Sequence, residues 1–176
     1  MFLKGNLISV RAMEPNDSEL LYHWENNREL WNVSLTQTPF SKFVLDEFVD
    51  TAHQDIYTNK QLRLMINDLA SNETIGTIDL FEFEPQHARC GLGIYILEEY
   101  RGKGFASECL SLIKNYVFTN LHLHQLYALV ADTNKPSLAL FEKSGFTKSG
   151  LKKSWNRNTS GAYDDVWFLQ YIFELA

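Results

Sequence analysis

At 176 residues the chain is long enough to bury a sizeable core, and it reads as a single domain over 1–176. Hydrophobic residues at 45% and aromatics at 14% exclude a disordered chain, and a net charge of -6 speaks against nucleic acid as the principal partner. No apolar run has membrane-spanning length, the N-terminus lacks a signal-peptide pattern, and the two cysteines, Cys90 and Cys109, offer neither a disulfide framework nor metal-ligand spacing, so a cytoplasmic protein without membrane or metal is expected.

Leu7 to Arg11 alternates as a short strand. A helix start follows at Glu14-Pro15-Asn16-Asp17-Ser18-Glu19, with Asn16 as cap and Glu19 completing a capping-box-like pair. Leu20, Leu21 and Trp24 supply its buried face. The segment from Trp24 to Trp31 is dense in aromatic and polar groups and suits core or lid packing. A second helix is predicted from Ser41, with Val44, Leu45, Phe48, Val49 and Ala52 on one face. Gln61 to Asn67 alternates as a strand, Asn67 to Glu73 is a hairpin loop, and Thr74 to Glu84 is the next strand, ended by Pro85. Arg89 to Leu97 then completes an antiparallel meander.

Gly91 to Ala106 is the stretch on which function turns. Its first half is strand; its second half, Arg101-Gly102-Lys103-Gly104-Phe105-Ala106, is a glycine-punctuated turn opening into a helix. Phe105, Cys109, Leu112, Ile113, Tyr116 and Val117 recur at helical spacing along that helix. A strand, a glycine turn and a helix N-terminus make an anion site, because unpaired N–H groups point outward along a positive dipole. Arg101 and Lys103 add formal charge. After the helix, Gln125 to Ala131 is a nearly continuous apolar strand, suited to a sheet centre. Asn134 then caps a helix with Pro136 in its first turn. It carries Leu138, Leu140 and Phe141 and stops at Gly145. A further strand starts at Phe146, Lys152 to Tyr163 reads as polar and irregular, and Val166 to Phe173 closes the chain as a strand.

Two motifs stand in order. Arg-x-x-Gly-x-Ala falls at Arg101, Gly104 and Ala106, and Asn-x-x-Ser-x-x-x-Phe-x-x-x-Gly-Phe falls at Asn134, Ser137, Phe141, Gly145 and Phe146. The chain resembles the GNAT N-acetyltransferase superfamily over essentially its whole length, with signals of both the polyamine and the ribosomal-protein N-terminal branches. The resemblance implies an α/β (α+β) fold: a mixed, mostly antiparallel sheet of about seven strands flanked by helices, with a splayed parallel strand pair. It implies acetyl-CoA as co-substrate and no metal. Pantetheine would bond backbone groups near Ile94 and Ile96, and the pyrophosphate would sit on Gly102 to Ala106 with Arg101 and Lys103. Asn134, Ser137 and Phe141 would flank the coenzyme's other side. A backbone N–H would stabilise the oxyanion as a neutral amine attacks the thioester.

The chain departs from the family pattern at two places. Many members carry Tyr at Phe141, as proton donor to the thiolate, and Glu at Gly91, as base through water. Ser137 matches a serine proposed for thiolate protonation in the ribosomal-protein branch, beside the plainer role of a first-turn helix hydroxyl. Asp79 and Glu82 match acidic positions of the polyamine branch, whereas Glu84 beside Pro85 reads as solvated. The expected function is acetyl transfer to a small cationic amine, a polyamine or diamine, with Asp79 and Glu82 as anchor or base. The alternatives are acetylation of a protein N-terminus and a CoA-binding regulatory module without turnover. Homodimers are common in the resembling branches, and the aromatic C-terminal strand could pair across an interface.

Overall fold

A computed structural model describes residues 2–28, 31, 36–158 and 160–174. Eight strands form one sheet: β1 (Leu3–Lys4), β2 (Ile8–Ala12), β3 (Leu62–Asp68), β4 (Thr74–Glu84), β5 (Arg89–Ile96), β6 (Gln125–Ala131), β7 (Thr147–Arg157) and β8 (Tyr163–Ile172). Their order is β1-β2-β3-β4-β5-β6-β8-β7. Every neighbouring pair is antiparallel except β5 and β6. The mixed, mostly antiparallel fold is as expected, and the eighth strand is the two-residue β1 at the edge. The α-helices bounded within the described residues are α1 (Asp17–Glu25), α2 (Lys42–Asp50), α3 (Ile56–Asn59), α4 (Phe105–Thr119) and α5 (Lys135–Lys143).

Strand alternation gives the sheet two faces. Leu64, Ile66, Ile78, Leu80 and Leu92 point to the face that buries Cys109, Leu110, Ile113 and Val117 of α4 with Leu138 and Phe141 of α5, and this is the main core. Met65 points to the opposite face, where Leu21 of α1 and Val49 of α2 complete a smaller cluster. Each fully buried aliphatic side chain there contributes about 1.5–3 kcal/mol of apolar transfer. Met65, on the same side of β3 as Arg63, is fully buried, because α1 and α2 cover that face.

Three local expectations are corrected. Asn16 precedes α1 in helical geometry and its side chain makes no cap hydrogen bond; the Asp17 carboxylate instead reaches back to accept the Glu14 N–H at 2.8 Å. Val44 stands 45% exposed, leaving Leu45 and Val49 as the buried stripe of α2. Lys152 to Tyr163 is not irregular throughout, since β7 runs on to Arg157. The Trp24–Trp31 stretch continues α1 only to Glu25, and Glu29 and Leu30 lie outside the described residues. Among the described residues no helix is long and apolar enough to cross a membrane.

Candidate active site

The parallel pair opens as a V. Residues Arg89, Cys90 and Gly91 of β5 pair with Gln125, Leu126 and Tyr127 of β6, and pairing stops there. Beyond that point β5 stays on β4 as far as Ile96 and β6 stays on β8 as far as Ala131. The two half-sheets diverge, leaving backbone groups of Leu92–Ile96 on the inner side without a strand partner. Such groups demand hydrogen bonds from another source. One is partly supplied: Arg101 folds back and its Nε donates to the Ile96 carbonyl at 3.0 Å.

The loop at the mouth of the V has the backbone its glycines permit. Gly102 has φ 75° and Gly104 has φ 90°, left-handed values that an L side chain resists. Nothing lies within 4 Å of a Cβ placed on Gly102, so that surface is open. Gly104 is the N-cap of α4 and gives no side-chain cap, so first-turn N–H groups of α4 face outward as an anion site. Lys103 and Arg101 are exposed beside them, and Lys103 Nζ lies 5.0 Å from the Tyr100 ring centroid. Glu108 in the first turn would oppose an anion, but its carboxylate is turned away. It accepts the N–H groups of Asn6, Leu7 and Ile8 at 2.7, 2.8 and 2.9 Å. A cleft of about 220 Å³ lined by Ser107, Ser111, Lys114, Lys143 and Ser144 adds two cations along the same side of α4.

Across the V, Asn134 caps α5 by accepting the Ser137 N–H at 3.2 Å. The Ser137 hydroxyl makes no hydrogen bond among the described residues. Phe141 is 3% exposed and packs edge-on against Phe146 at 5.0 Å, so it belongs to the core below the V.

The face covered by α1 and α2 carries the polar side chains. Register places Arg63, Asp79 and Gly93 side by side on β3, β4 and β5, with Phe81, Gly91 and Tyr127 in the next row. Gly91 and Gly93 give β5 no side chain here, which leaves a trough. A Cβ on Gly91 would stand 2.2 Å from Phe81 Cε2, so a side chain there would displace that ring. One wall is an ion cluster. Arg63 holds both Asp79 oxygens, Nε to Oδ1 at 2.6 Å and NH2 to Oδ2 at 3.2 Å, and reaches Glu25 Oε1 at 2.5 Å. Burial raises the Asp79 pKa and the Glu25 carboxylate adds to this, against the pull of Arg63. Arg63 also lies 5.3 Å above the Phe48 ring, and Trp24 meets Tyr95 edge-on at 5.8 Å at the trough's end.

Farther along β4, Glu82 is joined to Tyr127. Glu82 sits at the bulge of β4 with φ 47°, and its Oε2 accepts the Tyr127 hydroxyl hydrogen. Tyr127 is 8% exposed and stacks on Phe168 at 5.4 Å. Burial and its bond to Glu82 raise the Tyr127 pKa far above the usual phenol value, so it is a donor across the neutral range. Glu84 pairs with Arg89 at 2.9 Å. Asp79 and Glu82 thus both reach this face from β4, Asp79 held by Arg63 and Glu82 bonded to Tyr127, and Ser137 stands apart on α5. Arg63, Glu25 and Tyr127 were not singled out from sequence. A charged residue within the apolar run of β3, and a phenol within the apolar run of β6, were the available signals. Among the described residues no group of three or more His, Cys, Asp or Glu could hold a metal.

The family model of the acetyltransferase (GNAT) domain matches residues 8–147, and the chain belongs to that family: it is an N-acetyltransferase. Its likeness within the family is to the polyamine branch. The spermidine N(1)-acetyltransferase of Vibrio cholerae is 31% identical over 160 residues, covering 90% of this chain and 89% of that protein. The Escherichia coli spermidine N(1)-acetyltransferase is 28% identical, covering 81% and 74%. The crystal structure of the Vibrio cholerae enzyme in complex with CoA and spermine superposes with TM-score 0.86 at 28% identity, covering 96% of each chain. A dodecameric structure of that enzyme gives TM-score 0.80 at 29% identity, covering 96% of this chain and 95% of that one.

Proposed function

We propose that this N-acetyltransferase takes acetyl-CoA and acetylates a small polyamine. The observation that carries the reading is the likeness to a spermidine acetyltransferase along nine-tenths of both chains, joined to a sheet face that carries Glu25, Asp79 and Glu82 beside the glycines of β5. Glu25 and Asp79 around one Arg63 leave that wall with a net negative charge, which attracts an ammonium through the cluster's field. Glu82 adds a second negative point farther along β4, and spaced carboxylates suit a chain with spaced amines.

In this reading the pantetheine arm threads the V and bonds the inner backbone near Ile94 and Ile96. The pyrophosphate rests on Gly102, Gly104, Phe105 and Ala106 with Arg101 and Lys103, and Asn134 and Ser137 border the arm, while Phe141, expected there too, lies in the core beneath it. A neutral amine attacks the carbonyl carbon, and a backbone N–H steadies the oxyanion. Ser137 stands on the side where the thiolate departs. The peptide alternative finds no support in these relatives, and the module without turnover predicts a silent assay. Self-association belongs to the reading as well, because the related enzyme forms a dodecamer and Leu151, Trp155 and Tyr163 lie exposed on β7 and β8.

The test is thiol release from acetyl-CoA with spermidine, spermine, short diamines, an aminoglycoside and an N-terminal peptide. Turnover with the polyamines above the others is expected. Turnover with the peptide alone, or none with any amine despite CoA binding, overturns the reading.

A further inference from the structure

We propose that Glu82 and Tyr127 form the proton-accepting pair of the reaction: Glu82 is the base that takes the ammonium proton, and Tyr127 is the residue that positions it. The proposal rests on the polyamine acetyltransferase reading above.

Gly91 and Gly93 leave β5 without a side chain on this face, and Phe81 fills the space above Gly91, with ring carbon Cε2 only 2.2 Å from where a Cβ would stand. A base must therefore reach in from a neighbouring strand. Asp79 is poorly placed for this, because both of its oxygens are occupied by Arg63 and an approaching ammonium would meet the guanidinium. Glu84 is paired with Arg89 by two hydrogen bonds of 2.9 and 3.0 Å. Glu82 is exposed, and among the described residues no cation is paired with it. The bulge between Phe81 and Glu84 and the left-handed backbone of Glu82 turn its carboxylate across β5, over the residue that has no side chain, to the phenol on β6.

That phenol stands where the V closes. Tyr127 pairs with Gly91, the last rung before β5 and β6 separate, so the carboxylate it holds lies at the inner end of the slot. The Tyr127 ring is fixed by stacking on Phe168 and by the edge of Phe81 at 6.1 Å. The other ionisable groups facing it are Cys90, Glu84 and Arg89. Burial pushes the Cys90 thiol up to about 12, and Glu84 and Arg89 neutralise one another. Glu82 is left as the carboxylate at this place that no cation holds among the described residues. Its two oxygens divide the work: one accepts the Tyr127 hydroxyl, the other is open to the trough.

The step balances. The Glu82 carboxylate takes one proton from the ammonium. The freed nitrogen lone pair forms the C–N bond to the thioester carbonyl carbon, and the C–S bond breaks with its electron pair leaving on the CoA sulfur. The second proton lost by nitrogen ends on that thiolate, and Glu82 returns its own proton to water.

The experiment measures thiol release with spermidine for wild type, Glu82→Gln, Tyr127→Phe and the double variant, with melting curves for each. Glu82→Gln is expected to lower kcat about 100-fold with the acetyl-CoA KM unchanged. Tyr127→Phe should lower kcat about tenfold with both KM values unchanged, and the double variant should be no slower than Glu82→Gln, since positioning is worthless without the base. Glu82→Asp, which keeps the charge and shortens the reach, should fall between wild type and Glu82→Gln, and it serves if the amide variant melts early. A Glu82→Gln kcat within about twofold of wild type overturns the pair, as does a double variant that loses the product of the two single losses. Silence in wild type overturns the polyamine reading, and the pair falls with it.

Discussion

Arg11 and Asp17 meet fork to fork, NH1 to Oδ2 at 2.7 Å and NH2 to Oδ1 at 2.8 Å, with the Asp17 side chain 8% exposed. Burial alone would raise the Asp17 pKa, but Arg11 and the Glu14 N–H outweigh it and hold the carboxyl below its usual range. A depressed folded-state pKa gives stability that is present above the unfolded value of about 3.9 and lost as pH falls through the folded one. Asp17→Asn should therefore cost about 2 kcal/mol at pH 6, or about 5 °C in Tm, and the gap from wild type should close below about pH 3. Phe141 gives a second prediction at this scale. Its ring is sealed in the core against Phe146, so Phe141→Tyr buries a hydroxyl at a cost of about 1–3 kcal/mol. A lower Tm and no gain in kcat are expected; a clear rise in kcat would mean that the phenol reaches the thiolate. These roles differ in how readable they were. Asn134 as cap could be read from its neighbours in sequence, because capping is local. The Arg63 cluster and the Glu82–Tyr127 bond join residues far apart in sequence, and only the fold brings them together.

Elements whose burial is one-sided or complete declared themselves in the sequence. β6, buried along most of its length, runs from Gln125 to Ala131 as its apolar run predicts, and α4 begins at Phe105 behind its glycines. β7 did not. It is an edge strand exposed along nearly all of its residues, with register shifts and Ser154 at φ 47°, so no face selects apolar residues and no period of two survives. The turn into α4 carries its own prediction. Gly104→Ala forces a side chain onto φ 90° at about 1–2 kcal/mol, and the loop should relax away from its anion-holding shape. The acetyl-CoA KM should rise about tenfold with the amine KM unmoved. An unchanged acetyl-CoA KM would remove the loop from the coenzyme site.

For the molecule as a whole, the parallel strand pair of the V was legible through two motifs in sequence order, not through periodicity. Hydrophobic pattern distinguishes strand from helix, but it carries no information on where two strands cease to pair. The trough was illegible for a related reason: its floor is defined by absent side chains, and Gly91 looked like a lost catalytic group until Phe81 was seen lying across it. A ligand that joins the half-sheets stabilises the folded state by mass action, about 2.7 kcal/mol at a concentration 100 times Kd. A raised Tm with CoA, diminished in Gly104→Ala, is the expected result.

The inner edge of β5 presents main chain, and main chain is the same in every protein. A cavity that recognises its occupant through peptide groups places little demand on side-chain identity along it. Sequence drift along Leu92–Ile96 is then limited by packing on α4 and by little else, whereas the neighbouring trough can change its carboxylates independently. A TM-score of 0.86 at 28% identity is what such a division allows: shape is kept while side chains change.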